Sequence, residues 1–379
     1  MKIALLTYST KPRGSVIHTI ELATALAKRG HQVCVFALAK DRVGFERPLP
    51  CAIRLIPAEP APADIDGLIQ QRIQEFAHFL PQEPQAFDIY HAQDCIGANA
   101  LLQLRQRGQI PHFVRTVHHI EDFQSPYLRQ CQNQSIQAPD LCLCVSRRWQ
   151  QVLKADYAID AQRVVNGVNL GQFSPTPSGD EYSLQQRYGL VGSPRYLTVG
   201  GIEPRKNSLC LLTAFVQVLE RYPQAQLIIA GGATLFDYQD YRNCFFAQAK
   251  TLDIQIGRSL ILPGVIPTND LVTLYRCADV FCFPSVTEGW GLVVLEAIAS
   301  GLPVVVSQQP PFTEFLAPDQ ALWADPEQPA SIAQAMIQAL QPEGQSIIER
   351  SRSILSKYSW QHSAQLHEEC YQQLLQSGP

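Results

Sequence analysis

No stretch of about 18 consecutive apolar residues occurs in the 379-residue chain, so no segment reads as a membrane-spanning helix. Positive charge is not in excess either. Thirty Lys and Arg stand against 34 Asp and Glu, a formal net charge of −4, which leaves no basic surface to concentrate nucleic acid or anionic lipid. Charged residues make up only 17% of the chain, yet the hydrophobic share of 46% is that of an ordinary globular protein. There is no low-complexity tract and no repeat array. No pair among the 11 cysteines has the two-residue gap or the histidine partners of a zinc site. Scattered, odd in number and mostly set in apolar runs such as Leu141 to Val145 and Val280 to Phe283, they read as reduced core thiols. The opening MKIALLTYS reads as a strand and a polar loop, not as a long apolar core with a cleavage site, so the expected location is cytoplasmic. Asn133-Gln134-Ser135 is then a glycosylation sequon in spelling only.

What is present is enough length for two domains. Ile3 to Tyr8, Gln32 to Leu38, Asp88 to His91, His112 to Val117 and Leu141 to Val145 are short apolar strand candidates, separated by helical stretches. The clearest helix is Val16 to Arg29, with Gly30 just past its end. A Pro-rich loop follows from Pro57 to Pro62. Between Asn169 and Asp180 the composition shifts to Gly, Pro, Ser and Thr, the look of a linker, and a hinge is expected near Gly171 to Gly179. The pattern then restarts with a strand at Arg195 to Val199, a Gly200-Gly201 turn and a helix at Ser208 to Arg221. Further strands are expected at Gln226 to Ala230, Leu260 to Leu262, Asp279 to Phe283 and Pro303 to Ser307, and three helices close the chain. This duplication predicts an α/β protein of two Rossmann-like domains facing each other across a cleft.

The most informative segment runs from Phe283 to Ser307: a strand, a loop holding Glu288, Gly289 and Gly291, a helix from Leu292 to about Ser300, a glycine turn and a second strand. Glycines let a backbone approach an anion, and the unpaired amides at a helix start point towards it with the positive end of the helix dipole. The amides of Gly291, Leu292 and Val293 are therefore the expected phosphate donors. Glu296, one turn into the helix, can reach a ribose diol as a pure acceptor, while Glu288 stays in the loop. A helical glutamate is ordinarily solvated surface. Set beside two glycines in a strand-loop-helix turn, it reads instead as a ligand.

EGWGLVVLE, from Glu288 to Glu296, resembles the paired-glutamate motif of the GT4 family of retaining glycosyltransferases, which have the GT-B fold. LPGVIPTNDLVTLYRCADVFCFPS, from Leu262 to Ser285, and ASGLPVVVS downstream resemble the same family. So do the glycine loop at Arg13 to Ser15, the Thr116-Val117-His118 run, SRRW at Ser146 followed by VNGVNLGQFSP to Pro175, and the YSW at Tyr358.

The resemblance implies an acceptor-binding domain at 1–172, a nucleotide-sugar domain at 173–357, and a helix at 358–379 crossing back onto the first. It implies catalytic roles for His118, Glu288, Lys206 and Arg205. Donor contacts are implied at Gly14, Ser15, Gly201, Val265, Gly289, Trp290, Gly291, Leu292, Val293 and Glu296. Two positions depart from the pattern. Ser15 replaces the second of two adjacent glycines, which predicts lost backbone freedom. Gly201 stands where an arginine is usual, so Lys206 and Arg205 are the expected cations for the leaving diphosphate. The resemblance gives His118 a contact with the donor sugar across the cleft, with His119 as the competing register.

The expected partners are a nucleoside-diphosphate sugar and a small-molecule, glycan or lipid acceptor, with no nucleic acid. Peripheral membrane contact stays open. No cofactor, metal or Mg²⁺ requirement is expected. Asp64-Ile65-Asp66 spells a metal motif but sits at a helix start, where Asp is favoured as a cap. The alternatives are a nucleotide-sugar epimerase, a phosphorylase, or a degenerate sugar-nucleotide-binding protein suggested by Ser15 and Gly201. An NAD-linked dehydrogenase fits less well, because neither glycine turn completes the dinucleotide fingerprint.

Overall fold

Buried apolar runs of four to eight residues set between amphipathic helices build parallel sheets, because each crossover helix covers a face of the strands it joins. In the computed structural model, which describes residues 1–232 and 238–377, the chain divides into two units. One comprises Met1–Gly167 with Tyr358–Pro379, the other Val168–Lys357.

The first unit holds β1 (Lys2–Thr7), α1 (Gly14–Lys28), β2 (Gln32–Ala39), β3 (Ala52–Pro57), α2 (Ile65–Phe79), β4 (Ile89–Ala92), α3 (Cys95–Gln106), β5 (Val114–Val117), α4 (Pro126–Gln137), β6 (Leu141–Cys144), α5 (Arg147–Tyr157) and β7 (Gln162–Arg163). The strands pair in parallel in the order β3-β2-β1-β4-β5-β6-β7. Winding reverses at β1, so β1 and β4 flank a switch point, the crevice where open α/β sheets take ligands. One face buries Leu6, Phe36, Ile73, Phe76, Ile96 and Leu101 under α2 and α3. Asp64 caps α2 by accepting from the Gly67 amide at 2.7 Å, and Asp66 accepts from the Ser125 hydroxyl.

The second unit holds α6 (Glu181–Tyr188), β8 (Arg195–Val199), α7 (Ser208–Arg221), β9 (Gln226–Ala230), α8 (Gln239–Thr251), β10 (Leu260–Gly264), α9 (Thr268–Cys277), β11 (Val280–Phe283), α10 (Leu292–Ala299), β12 (Val304–Ser307), α11 (Phe312–Phe315), β13 (Leu322–Ala324), α12 (Pro329–Gln338) and α13 (Pro342–Arg352). Its parallel order, β10-β9-β8-β11-β12-β13, puts a second switch point between β8 and β11. The last helix, α14 (Trp360–Ser377), returns to the first unit and packs on α1, where Arg29 meets Glu368 at 2.5 Å. Among the described residues no helix is long and apolar enough to cross a membrane.

Three strands lie outside the expected set: β3, β7 and β13. β3, at the sheet edge, has exposed or half-buried residues except for the buried Ile56, and its Arg54 and Pro57 break the apolar run that marks a core strand. The segment from Asn169 to Asp180, linker-like in composition, is held on the second unit. Phe173 is buried against Tyr275 with ring centroids 5.7 Å apart, and Arg276 grips Ser178 and Glu181 at 2.7 and 2.6 Å.

Candidate functional site

At the second switch point main chain stacks on main chain. Gly201 has φ +81°, and a Cβ there would lie 2.6 Å from the Gly232 carbonyl oxygen. A Cβ on Gly231 would lie 2.5 Å from the Gly201 nitrogen. The arginine usual at position 201 has no room in this loop, so the cations come from further along. A Cβ on Gly200 would sit 2.6 Å from Lys206 Cε; its absence opens the path by which Lys206 crosses the turn.

Lys206 ends 2.6 Å from Oε1 of Glu288 and 4.2 Å from the centroid of the Phe283 ring. Arg205 donates to the same Oε1 at 3.0 Å and also meets Glu203 at 3.0 Å. Two cations thus converge on one buried carboxylate oxygen. Burial, then the Arg205 charge, push the Lys206 ammonium down to about 8, while Glu288 pulls it the other way.

The loop carrying Glu288 is fastened from three sides. The Asn207 amide donates to the carbonyls of Pro284 and Pro326 at 3.0 and 2.6 Å. The Val286 amide donates to the Arg205 carbonyl at 2.9 Å, and the Gln309 amide to those of Ser285 and Val286, both at 2.9 Å. Trp290 is buried and stacks on Phe315 at 4.9 Å, so its ring braces the loop. Gly291 then takes φ +96° as the residue before α10, and a Cβ there would meet Phe312 at 2.8 Å. From that turn α10 begins at Leu292, and the first amides of a helix lack intrahelical acceptors. Glu296 is buried, its Oε2 accepting from the Tyr275 hydroxyl at 2.8 Å. Val265, 69% exposed, follows β10 and lies against Gly232.

The structure therefore gathers Gly201, Arg205, Lys206, Val265, Glu288, Gly289, Trp290, Gly291, Leu292, Val293 and Glu296 at the carboxyl ends of β8 to β11 and the start of α10. Gly14, Ser15 and His118 belong to the first unit. Gly14 opens α1 and Ser15 follows in it; neither has a positive φ. The lost freedom expected at Ser15 is thus no loss, because a helical residue does not need glycine.

His118 lies just past β5, with Nε2 2.9 Å from Oε1 of Gln93 and its ring 4.6 Å from that of His18. His119 turns elsewhere, pairing with Glu121 at 3.1 Å and packing edge-on against Trp149. Under α1 and α14 lies a bed of imidazoles. His18 bonds Asn166 at 2.8 Å, and His91 bonds the Tyr371 hydroxyl at 2.7 Å and the Thr116 hydroxyl at 2.8 Å. His367 packs 5.5 Å from His18 and 5.8 Å from His91. Burial pushes His18 down to about 3 and His367 to about 4, and holds His91 and His118 well below the usual imidazole range, so all four are neutral. The residue patterns did not point to His18, His91, Gln93, Tyr275, His367 or Tyr371. The available signal was positional: Gln93 directly follows β4 at a switch point.

Comparison with known proteins matches the two halves separately. The family described as Glycosyltransferase Family 4 matches residues 12–172, and Glycosyl transferases group 1 matches residues 184–359. The chain is 26% identical to a D-inositol 3-phosphate glycosyltransferase of Corynebacterium jeikeium, over 100% of this chain and 98% of that one. Its fold matches a sucrose-phosphate synthase from Thermosynechococcus elongatus with a TM-score of 0.80 at 21% identity, over all of both chains. It also matches the Anabaena protein HepE, whose structure is in complex with UDP-glucose, with a TM-score of 0.77 at 19% identity, over 100% of this chain and 99% of that one. The fold is that of the GT-B glycosyltransferases.

Proposed function

Because the chain belongs to the group 1, family 4 glycosyltransferases, we propose that it transfers a sugar from a nucleoside diphosphate to an acceptor hydroxyl with retention of anomeric configuration. The observation that carries this is the meeting of Lys206 and Arg205 on one buried oxygen of Glu288 beside the start of α10. A departing diphosphate gains negative charge, and two cations with helix-start amides in a dry site are the groups that stabilise it.

The acceptor oxygen attacks the anomeric carbon on the face that the diphosphate leaves. The carbon–oxygen bond to phosphate breaks as the new glycosidic bond forms, and the acceptor proton passes to the departing phosphate oxygen. Glu296 accepts from the ribose hydroxyls, Glu288 contacts the transferred sugar, and the loop around Val265 takes the base; in the first unit, His118 is the sugar contact. With two side-chain cations in place, turnover persists in EDTA. UDP-glucose, seen in the Anabaena relative, is the first donor to try.

The degenerate-binding alternative loses its motive: position 201 has no room for a side chain, and two cations stand nearby. The test is a thermal-shift screen against uridine, guanosine and adenosine diphosphate sugars, then NMR of the product formed with an acceptor panel. A new glycoside with the donor's anomeric configuration is expected. An inverted product, or a changed free sugar nucleotide with no glycoside, overturns the proposal.

A further inference from the structure

Gln93 is 1% exposed and bridges two imidazoles. Its Oε1 lies 2.9 Å from His118 Nε2, and its Nε2 lies 3.1 and 3.3 Å from the ring nitrogens of His91. An amide oxygen only accepts hydrogen bonds, so the nitrogen facing it carries the proton. His118 is thereby the Nε2–H tautomer, with Nδ1 left as an acceptor. Behind Gln93, His91 is itself fixed at both ends, by Tyr371 of α14 and Thr116 of β5.

We propose, on the footing of the sugar contact assigned to His118 above, that Gln93 is a positioning residue. It holds His118 in one tautomer so that Nδ1 accepts a hydrogen bond from a sugar hydroxyl. The Gln93 amide nitrogen packs against the His91 ring, whose two nitrogens Thr116 and Tyr371 hold, so the last helix backs the residue that faces His118. A neutral imidazole is required, since a protonated Nδ1 cannot accept. The groups facing His118 favour that state: His18 from α1, His91 from β4, Arg115 from β5 and His367 from α14 contribute no carboxylate.

Four variants and one spectrum test this. In nitrogen-15 spectra of the intact enzyme, His118 is expected to show the Nε2–H tautomer, and in Gln93→Leu a mixture of both. Gln93→Leu lowers kcat on the order of 10- to 100-fold while KM for the donor stays within about twofold, because geometry is lost rather than binding. Gln93→Glu keeps an acceptor oxygen and recovers most of the activity near pH 8. Its carboxylate raises the His118 pKa, so activity falls on the acid side at a higher pH than in the parent. Tyr371→Phe, two bonds further out, costs a few-fold. His118→Ala serves as the reference. An Nδ1–H tautomer in the parent, or full kcat in Gln93→Leu beside a crippled His118→Ala, overturns the positioning role. Full turnover in His118→Ala instead overturns the sugar contact, and the spectrum then decides the tautomer by itself.

Discussion

At the β8/β11 switch point two cations crowd one carboxylate oxygen, whereas at β1/β4 neutral imidazoles, an amide and hydroxyls stand beside the buried Asp94 and Arg115 in the equivalent place in the topology. The two sheets wind alike, so strand order did not set this difference. The side chains at the strand ends did. The diphosphate proposed for the second unit would need fixed positive charge, and that unit keeps Lys206 charged by pairing it although burial works against it. The sugar contact proposed for His118 would need a directional partner, and the first unit keeps its imidazoles uncharged by burying them together.

The contrast breaks most visibly if the charge is removed. Lys206→Ala should lower kcat/KM at least about a hundredfold with an unchanged circular dichroism spectrum, as loss of one preorganised cation does; a near-normal rate would return the lysine to a structural role. Glu296→Gln should cost about a hundredfold as well, chiefly in donor KM, if its carboxylate meets the ribose; Tyr275→Phe, which removes only its supporting hydroxyl, should cost far less.

pH sharpens the comparison further. Lys206 loses its proton as pH rises through about 8, so kcat/KM should fall about tenfold per pH unit above that value, and a flat profile to pH 9.5 would contradict the charge requirement. The smallest effect concerns stability. The unfolded chain protonates its imidazoles near 6.5, whereas folded His18 and His367 take no proton until about 3 and 4. The unfolded state therefore binds more protons between those limits, and the first unit should lose stability as pH falls below about 6.5, on the order of 1.4 kcal/mol per pH unit for each such imidazole. In the second unit Glu181 is held down to about 2, so its contribution is lost only as pH falls from 4.5 towards 2. Hydrogen exchange at pH 5 against pH 7 should loosen the first unit selectively; equal loosening of both would sink the contrast.

The sequence carried the second switch point better than the first. β8, α7 and β9 start and stop where their apolar runs do, and Glu288 to Glu296 spans a local motif whose neighbours in sequence are neighbours in space. Lys206 was found through the family resemblance, which places a lysine some residues after the glycine turn. The first unit's polar bed was not legible, because Gln93, His118 and Tyr371 meet only through the fold; His91 and Tyr371 are 280 residues apart. A histidine inside an apolar strand looks the same whether it bonds a hydroxyl or merely fills space. Gly201 was legible as a departure, while its cause, the carbonyl of Gly232, lies just past the neighbouring strand β9.

Since α14 follows the second unit in the chain yet packs on α1 and β4, a ribosome delivers the residues of the second unit before the first unit can be completed. His18 and His91 lack their α14 partners until that helix clears the exit tunnel, so the nascent amino-terminal half is the part that needs chaperone cover. Trimming a few turns from the carboxyl end should expose that earlier half to proteases and spare the later one.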